Sequence, residues 1–178
     1  MILFMPSLAE FKKIFPSVYA AYADCFGKPP YDEYFAPNAV KDMFEGYIRN
    51  GILLLAYDET LEECVGFMAA VPLRLDEEVA DIAVQYGLNA EDWWFIADFG
   101  VVSSHRKRGL AFKLGQALLG YIPAKNILSR TNERNIASIA AHRKLGFSLV
   151  ADMEQVVESK RIDGSYRKDR RIFMRYLK

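Results

Sequence analysis

The sequence has few of the residues that build disulfide frameworks and zinc sites. Cys25 and Cys64 are its only cysteines, they form no CxxC pair, and the two histidines, His105 and His142, form no metal-ligand pattern with them. We therefore expect neither a disulfide framework nor a zinc site, and no metal cofactor.

Charge of one sign and long hydrophobic runs are also missing. Lys plus Arg and Asp plus Glu both number 23, so no net field would attract nucleic acid or an anionic membrane surface. No apolar run reaches membrane-spanning length, and the apolar start at residues 1–5 ends at Pro6, well short of a signal peptide. We expect a cytoplasmic protein with small partners, with neither nucleic acid nor membrane among them.

What is present suits one well-buried core. Hydrophobic residues make up 52% and aromatic residues 13% of the 178 residues, which is enough for one domain and too short to favour two. The chain has no internal repeat and no low-complexity linker. The sequence predicts a single domain over residues 1–178.

Hydrophobic periodicity predicts alternating helices and strands. A capping box from Ser7 to Glu10 begins the first helix, Pro16-Ser17 predicts a break in it, and Gly27 ends it. Residues 28–38 contain three prolines and predict an ordered loop. Further helices are expected at residues 40–48, 77–86, 110–121 and 135–145. Strands are expected at residues 52–57, 65–71, 93–102, 126–130, 147–157 and 171–177, and the first two and last two of them are expected to pair.

The most informative segment is the turn between the strand at 93–102 and the helix at 110–121. It consists of Arg106, Lys107, Arg108, Gly109, Leu110 and Ala111. A strand that turns directly into a helix leaves the first-turn amides without partners, and they point outward toward an anion. Gly109 and Ala111 leave room for a phosphate. We call residues 106–111 the anion-binding turn and predict that it holds a diphosphate; a basic connection that binds nothing is the alternative.

Two motifs resemble the GNAT superfamily of acyl-CoA-dependent N-acyltransferases. The anion-binding turn, which begins five residues after Val101, is similar to the family's [Gln/Arg]-x-x-Gly-x-[Gly/Ala] signature after its fourth strand. Asn135, Ser138 and the run from His142 to Phe147 are similar to its second landmark, which ends in Gly-Phe. The resemblance implies an α/β (α+β) fold with a mixed, mostly antiparallel sheet of six to seven strands, flanked by helices and with splayed central strands.

The resemblance also implies acetyl-CoA as the acyl donor. In that family, backbone N–H groups of the turn bind the pyrophosphate, and the pantetheine arm lies between the fourth and fifth strands, where it pairs with strand groups near Phe99 to Val101. The role carried over to Asn135 is a hydrogen bond to pantetheine. Asn135 could instead be only the N-cap of its helix, and Lys107 and Arg108 could be only solvated charges.

His142 departs from the commonest family pattern, which has a tyrosine at this place that is thought to protonate the departing CoA thiolate. Asn135 and His142 are seven residues apart, so they return to nearly the same helix face and the imidazole can approach the sulfur. An imidazolium is a stronger acid than a phenol. The alternative is a hydrogen-bonded histidine packed beside the pocket, with water or backbone donors assisting thiolate departure.

Asp98 is the candidate general base for the acceptor amine, because it is the only ionisable side chain between Trp93 and Val102. The resemblance supports this role, since several family members carry an acidic residue there. Burial among aromatic neighbours would raise the pKa of Asp98 toward neutrality. The alternatives are a structural carboxylate at this position, with Glu91, Asp92 or a water chain as the base.

The acceptor site is expected among the early helices, the loop at residues 28–38 and residues 73–94. Aromatic and acidic side chains in these regions suit a cationic amine. Tyr31 and Trp94 are the candidate contacts. The alternative is that most of these rings belong to the core and most of these charges to the surface.

These expectations combine into one function, direct transfer of an acetyl group from acetyl-CoA to a primary amine of a small molecule or peptide. No covalent enzyme intermediate is expected, because neither cysteine lies in a recognised motif. A non-catalytic CoA-binding module or sensor is the alternative. A nucleotide-phosphate binder ranks lower, because the turn lacks the Lys-Ser/Thr pair of a P-loop. A homodimer is compatible with the sequence, which does not set the oligomeric state.

Overall fold

Seven strands form one mixed sheet in the computed structural model, which describes residues Met1–Lys178. Their order is β1-β2-β3-β4-β5-β7-β6, and every neighbouring pair is antiparallel except β4 and β5. The strands are β1 Ile2–Phe4, β2 Ile52–Asp58, β3 Glu63–Pro72, β4 Trp93–Val101, β5 Asn126–Asn132, β6 Ser148–Lys160 and β7 Tyr166–Leu177. The helices are α1 Leu8–Phe26, α2 Pro37–Asn50, α3 Glu77–Gln85, α4 Leu110–Tyr121 and α5 Ile136–Lys144. The expected fold class is confirmed.

The helices cover both faces of the sheet. α1, α2 and α3 pack on one face, and α4 and α5 pack on the other. Aromatic rings dominate the first face, where Phe44 contacts the rings of Phe11 and Phe67 and all three side chains are fully buried. Each such burial contributes roughly 1.5–3 kcal/mol, so this aromatic core fixes α1 and α2 on β3. None of the five helices has the length and apolar content that a membrane crossing requires.

The first helix begins at the predicted capping box, but the break predicted at Pro16-Ser17 is wrong. α1 runs without interruption from Leu8 to Phe26. A proline inside a helix removes one hydrogen bond and crowds the preceding turn. The buried stripe continues on both sides of Pro16, with Phe11 before it and Val18 after it. Packing of that stripe against the sheet compensates for the missing bond.

Most other predicted elements are present, with shifted ends. Both expected hairpins, β2–β3 and β6–β7, pair antiparallel. β6 and β7 extend beyond their predicted limits because backbone pairing continues through charged positions as far as Lys160 and Tyr166. Gly146, the glycine of the Gly-Phe motif, follows the C-cap of α5 and has a positive φ of 96°. The seventh strand, β1, was expected only as an apolar start and pairs with β2.

The two central strands separate halfway along β4. β4 and β5 pair only from Trp93 to Ile96, so residues 97–101 have β3 as their only strand neighbour. A bulge in the β3–β4 ladder leaves Ala97 without an opposite residue. Because a bulge re-aims the side chains that follow it, Asp98 faces α2, where it bonds Tyr47. The splay and the bulge together position the candidate site.

Candidate active site

Two cavities meet at the splay between β4 and β5. The first, which we call the groove, has a volume of about 350 Å³ and lies between residues 99–101 of β4 and residues 134–141 at the start of α5. The second, which we call the chamber, has a volume of about 500 Å³ and contains Asp98 and His142. The residues that line both are Phe26, Tyr31, Phe99 and Ser138. A ligand in the groove therefore reaches the chamber at these four residues.

The anion-binding turn borders the groove through Arg106 and Ala111. None of the backbone N–H groups of residues 107–112 donates a hydrogen bond within the chain. Gly109, which precedes α4, has a φ of 78°, and no atom lies within 4 Å of the place where its β-carbon would be. The turn therefore presents free donors on an open surface at the positive end of the α4 dipole.

The side chains of the turn contribute less than its backbone. Arg106 Nε donates to the carbonyl oxygen of Val101 at 2.9 Å, which fixes the turn against the end of β4. Leu110 is buried in the core. Lys107 and Arg108 are exposed and line neither cavity. This arrangement agrees with anion binding by amides, and it leaves Lys107 and Arg108 as surface charges.

Asn135 caps α5 and also lines the groove. Its Oδ1 accepts a hydrogen bond from the N–H of Ser138 at 3.0 Å, and its Nδ2 donates to the Tyr31 hydroxyl at 3.2 Å. Tyr31 lies where groove and chamber join, with the Arg171 guanidinium 5.0 Å from the centre of its ring. The two roles expected for Asn135 are therefore compatible in space.

Trp94 is not brought to the site. It lines neither cavity and packs against the core on the α4 side. The alternation of side chains along β4 places its neighbour Phe95 on the opposite face, where Phe95 lines the chamber. The alternative bases Glu91 and Asp92 also line neither cavity. Neither cavity therefore supports the prediction that Trp94 contacts the substrate.

Asp98 is a buried carboxyl group in the chamber, with 8% of its surface exposed. The Tyr47 hydroxyl donates to its Oδ2 at 2.5 Å. Burial raises the pKa of Asp98 to about 7, although hydrogen bonds from Tyr47 and Tyr22 and the charge of Arg130 oppose the rise. A carboxylate with this pKa can accept a proton near neutral pH.

His142 is also buried, and both of its ring nitrogens have partners. Nδ1 lies 2.8 Å from the carbonyl oxygen of Ser138, so Nδ1 carries the proton, because a carbonyl only accepts. Nε2 then accepts a hydrogen bond from the Ser129 hydroxyl at 2.7 Å. Burial lowers the pKa of His142 despite the bond to Ser138. The ring is therefore neutral at pH 7 and holds no free N–H for a thiolate.

The sequence alone did not identify three residues of the chamber. Tyr47 lies in the helix expected at residues 40–48, and Ser129 and Arg130 end the strand expected at residues 126–130, so the sequence predicts a site role for none of them. All three line the chamber. A signal was present in β5, where the polar residues Ser129, Arg130 and Thr131 follow a short apolar pair at the position where the strand leaves β4.

A network of buried ion pairs closes one side of the chamber. Glu33, from the loop before α2, pairs with Arg171 of β7, and Arg161 pairs with Asp169 at 2.6 Å. Ser159 also donates to Glu33 at 3.1 Å. Because each of these buried charges has an opposite charge beside it, the network joins the loop to the β6–β7 hairpin without leaving a free charge.

Comparisons with known proteins agree with this geometry. The sequence model of the acetyltransferase (GNAT) family matches residues 15–147. No curated protein sequence matches the chain. Among solved structures, a ribosomal-protein-alanine N-acetyltransferase from Brucella melitensis has a TM-score of 0.72 at 19% identity, with 100% of both chains covered.

Two further structures have similar folds. A GNAT superfamily phosphinothricin acetyltransferase from Sinorhizobium meliloti, in complex with acetyl-CoA, has a TM-score of 0.65 at 18% identity, covering 99% of this chain and 87% of that one. An N-acetyltransferase from Staphylococcus aureus has a TM-score of 0.67 at 15% identity, covering 99% and 97%. At these identities the likeness concerns the fold.

Proposed function

Because the chain belongs to the acetyltransferase (GNAT) family and is an acyltransferase, we propose that it moves the acetyl group of acetyl-CoA directly to a primary amine bound in the chamber. The observation that carries this proposal is the junction of the two cavities. The unpaired amides of the anion-binding turn border the groove, and the buried Asp98 lies in the chamber that the groove reaches.

The groove suits the donor. The free amides of residues 107–112 would bind the diphosphate of coenzyme A, and the edge of β4 at residues 99–101, with Asn135 opposite, would bind the amide-bearing pantetheine arm by strand addition. The donor supplies an acyl group activated as a thioester. Held this way, its acetyl end would lie where Tyr31 and Ser138 mark the entrance to the chamber.

Asp98 is the proposed base. Its carboxylate takes a proton from the acceptor's ammonium group, and the freed nitrogen forms the new bond to the acetyl carbonyl carbon. The nitrogen gives its second proton to water as the bond to sulfur breaks and the thiolate leaves. The Tyr47 hydroxyl holds the carboxylate in position. Fixing both substrates at one junction lowers the barrier by removing the entropy cost of their encounter.

His142 is proposed as a positioning residue. Its ring bonds Ser138 within α5 and Ser129 of β5, and these bonds fix α5 to β5 on one side of the splay. Because the neutral ring has no free proton, water is the proposed source of the proton that the thiolate acquires. The acceptor is a small molecule or a peptide, and residues 1–178 act as one domain.

A non-catalytic CoA-binding module is the second candidate. The observation that favours it is the lack of a general acid for the thiolate. A neutral histidine, with hydrogen bonds at both ring nitrogens, stands where the family usually has a tyrosine. Such a module would bind acetyl-CoA in the groove and transfer nothing from it.

Two substitutions at one residue test the donor site. Gly109→Asp and Gly109→Asn are similar in size and both tolerate positive φ, but only the first adds a negative charge beside the diphosphate. Like-charge contact costs several kcal/mol, so Gly109→Asp should weaken acetyl-CoA binding by roughly 100-fold. Gly109→Asn should change it by less than about 5-fold. Titration calorimetry measures both.

The same preparations separate the two candidates. Equal acetyl-CoA affinity in both variants and the wild type would contradict the proposed donor site. If the wild type binds acetyl-CoA normally yet acetylates no member of a broad amine panel, the binding module stands and the enzyme proposal falls.

A further inference from the structure

Arg130 is a cation in the chamber without an anionic partner. It lies on β5, and its guanidinium is 5.9 Å from the centre of the Phe95 ring. Its Nη1 donates to Oε1 of the buried Gln155, and its Nε and Nη2 bond no other group of the chain. Of the two arginines that line the chamber, Arg171 pairs with Glu33, whereas Arg130 forms no ion pair.

Three carboxylates influence Arg130 through charge, those of Asp76, Glu78 and Asp98, and none of them forms an ion pair with it. Asp76 caps α3 by accepting a hydrogen bond from the N–H of Val79 at 3.1 Å. Asp98 accepts from Tyr47 on the side toward α2. Glu78, in the first turn of α3, is exposed to solvent. A guanidinium with five N–H donors and one amide partner therefore retains free donors in the cavity.

Arg130 is half-buried, and a ligand that fills the chamber would remove more water from it, which is costly unless an anion joins it. Arg130 and Asp98 also face the same side of the sheet, because Arg130 contacts Phe95 and the bulge at Ala97 returns Asp98 to the Phe95 face. A molecule in the chamber can thus meet a fixed cation and a proton acceptor together.

We propose that the acceptor is an amine that carries its own carboxylate, a free amino acid or a small derivative of one, and that its carboxylate pairs with Arg130 while its nitrogen faces Asp98. The inference rests on the proposed function and specifies its acceptor. Arginine suits this role, since its planar fork binds a carboxylate through two parallel hydrogen bonds.

The size and closure of the chamber favour a free amino acid over a peptide N-terminus. Its volume of about 500 Å³ lies within the ~300–1,000 Å³ range of small-molecule sites. The ion pairs of Glu33 with Arg171 and with Arg161 fix the loop before α2 to the β6–β7 hairpin on one side. The first residue of a peptide would also bring a neutral amide where Arg130 requires an anion.

Paired substrates provide the test without any mutation. The wild-type enzyme is assayed with acetyl-CoA and the common α- and ω-amino acids, each beside its own carboxamide, in which the amine is retained and the carboxylate is neutral. For the best acceptor, kcat/KM should be at least about 100-fold higher for the acid than for its amide. Amides that equal or exceed their acids would overturn the proposal.

Arg130→Gln and Arg130→Lys assign the preference to this residue. Arg130→Gln should reduce kcat/KM for the acid by roughly 100-fold and change it for the amide by less than about 3-fold. Arg130→Lys should lose less activity toward the acid than Arg130→Gln, since lysine keeps the positive charge but lacks the planar guanidinium group. A preference for acids that survives in Arg130→Gln would overturn the assignment to Arg130.

Acetyl-CoA affinity and melting temperature, measured on the same variants, show whether the fold and the groove are intact. Transfer to amides with no preference for acids would refute this inference and leave the proposed acetyltransferase standing. Transfer to no amine at all would refute both.

Discussion

At the scale of single residues, Asp98 should set the pH dependence of the reaction. Its pKa is about 7 and the base must be ionised to act, so kcat/KM should rise with pH and level off above pH 7 to 8. Asp98→Asn removes the proposed base and should lower kcat/KM by roughly 10²–10⁴-fold. It should also abolish the rise. Steady-state kinetics from pH 5.5 to 9 measures both.

Tyr47→Phe is the matched control for this prediction. The Tyr47 hydroxyl stabilises the charged form of Asp98, so its removal should move the rising limb to higher pH. The turnover above that limb should remain largely intact. An unchanged pH profile in Asp98→Asn would show that another group takes the proton.

The candidate site was predictable at some residues and not at others. The sequence identified Asp98 as a lone carboxyl group in an apolar strand, and the structure places it in the chamber. The state of His142 depends on Ser129 and Ser138, which hold its two nitrogens and come from different elements. The His142 tautomer is decided by tertiary contacts and cannot be predicted from the local sequence. The lack of an ion-pair partner for Arg130 could not be predicted either, for the same reason.

At the scale of elements, spacing predicted the helices and strands well where an apolar stripe was continuous. α4 has its predicted bounds, and α5 begins after Asn135, which is its N-cap. The predicted break in α1 and the short predicted bounds of β6 and β7 are errors of one kind. In each case the local residue preferences disagree with what tertiary packing or strand pairing imposes. The β6–β7 ladder continues through mostly polar residues that show no apolar alternation, because backbone pairing needs no apolar side chain.

Pro16 is a residue whose helix-breaking preference is overridden by packing, and this can be tested. It is exposed and lies inside α1, where it removes one helical hydrogen bond. Pro16→Ala should restore the bond and increase the free energy of unfolding by roughly 1–3 kcal/mol. Chemical denaturation followed by circular dichroism measures the change.

Pro37→Ala is the control, because Pro37 begins α2, where the N–H has no helical partner. It should bring no gain in stability. If Pro16→Ala is neutral or destabilising, the packing of α1 depends on the shape that Pro16 gives it. The bond from Cys64 N–H to the Ser17 hydroxyl, next to the proline, would be the contact to examine.

At the scale of the whole molecule, the site lies where the sheet is incomplete. β4 leaves β5 after Ile96, and the opening brings together side chains from both faces: Asp98 and Arg130 from the α1–α3 face, and Ser129 and His142 from the α4–α5 face. An intact sheet would separate these two groups. The opening between β4 and β5 therefore assembles the candidate site, at the cost of burying groups that water would otherwise solvate.

That cost should appear in the stability of the protein as a function of pH. A carboxyl group has a pKa near 3.9 in an unfolded chain, and that of Asp98 is raised to about 7 in the folded protein. Between these values the folded state binds more protons than the unfolded state. The contribution of Asp98 is therefore fully present below pH 4 and is lost as the pH rises to 7.

Asp98→Asn carries no titrating group and should isolate this effect. From pH 5 to pH 8 its free energy of unfolding should increase relative to the wild type by about 3 kcal/mol, since each pKa unit corresponds to roughly 1.4 kcal/mol. His142, with a lowered pKa, acts on stability in the opposite direction. It is present in both proteins, so its contribution cancels when the two free energies of unfolding are subtracted. Urea unfolding at several pH values measures that difference. A constant difference would mean that Asp98 is ionised and well solvated when folded, and it would then be a weak base at neutral pH.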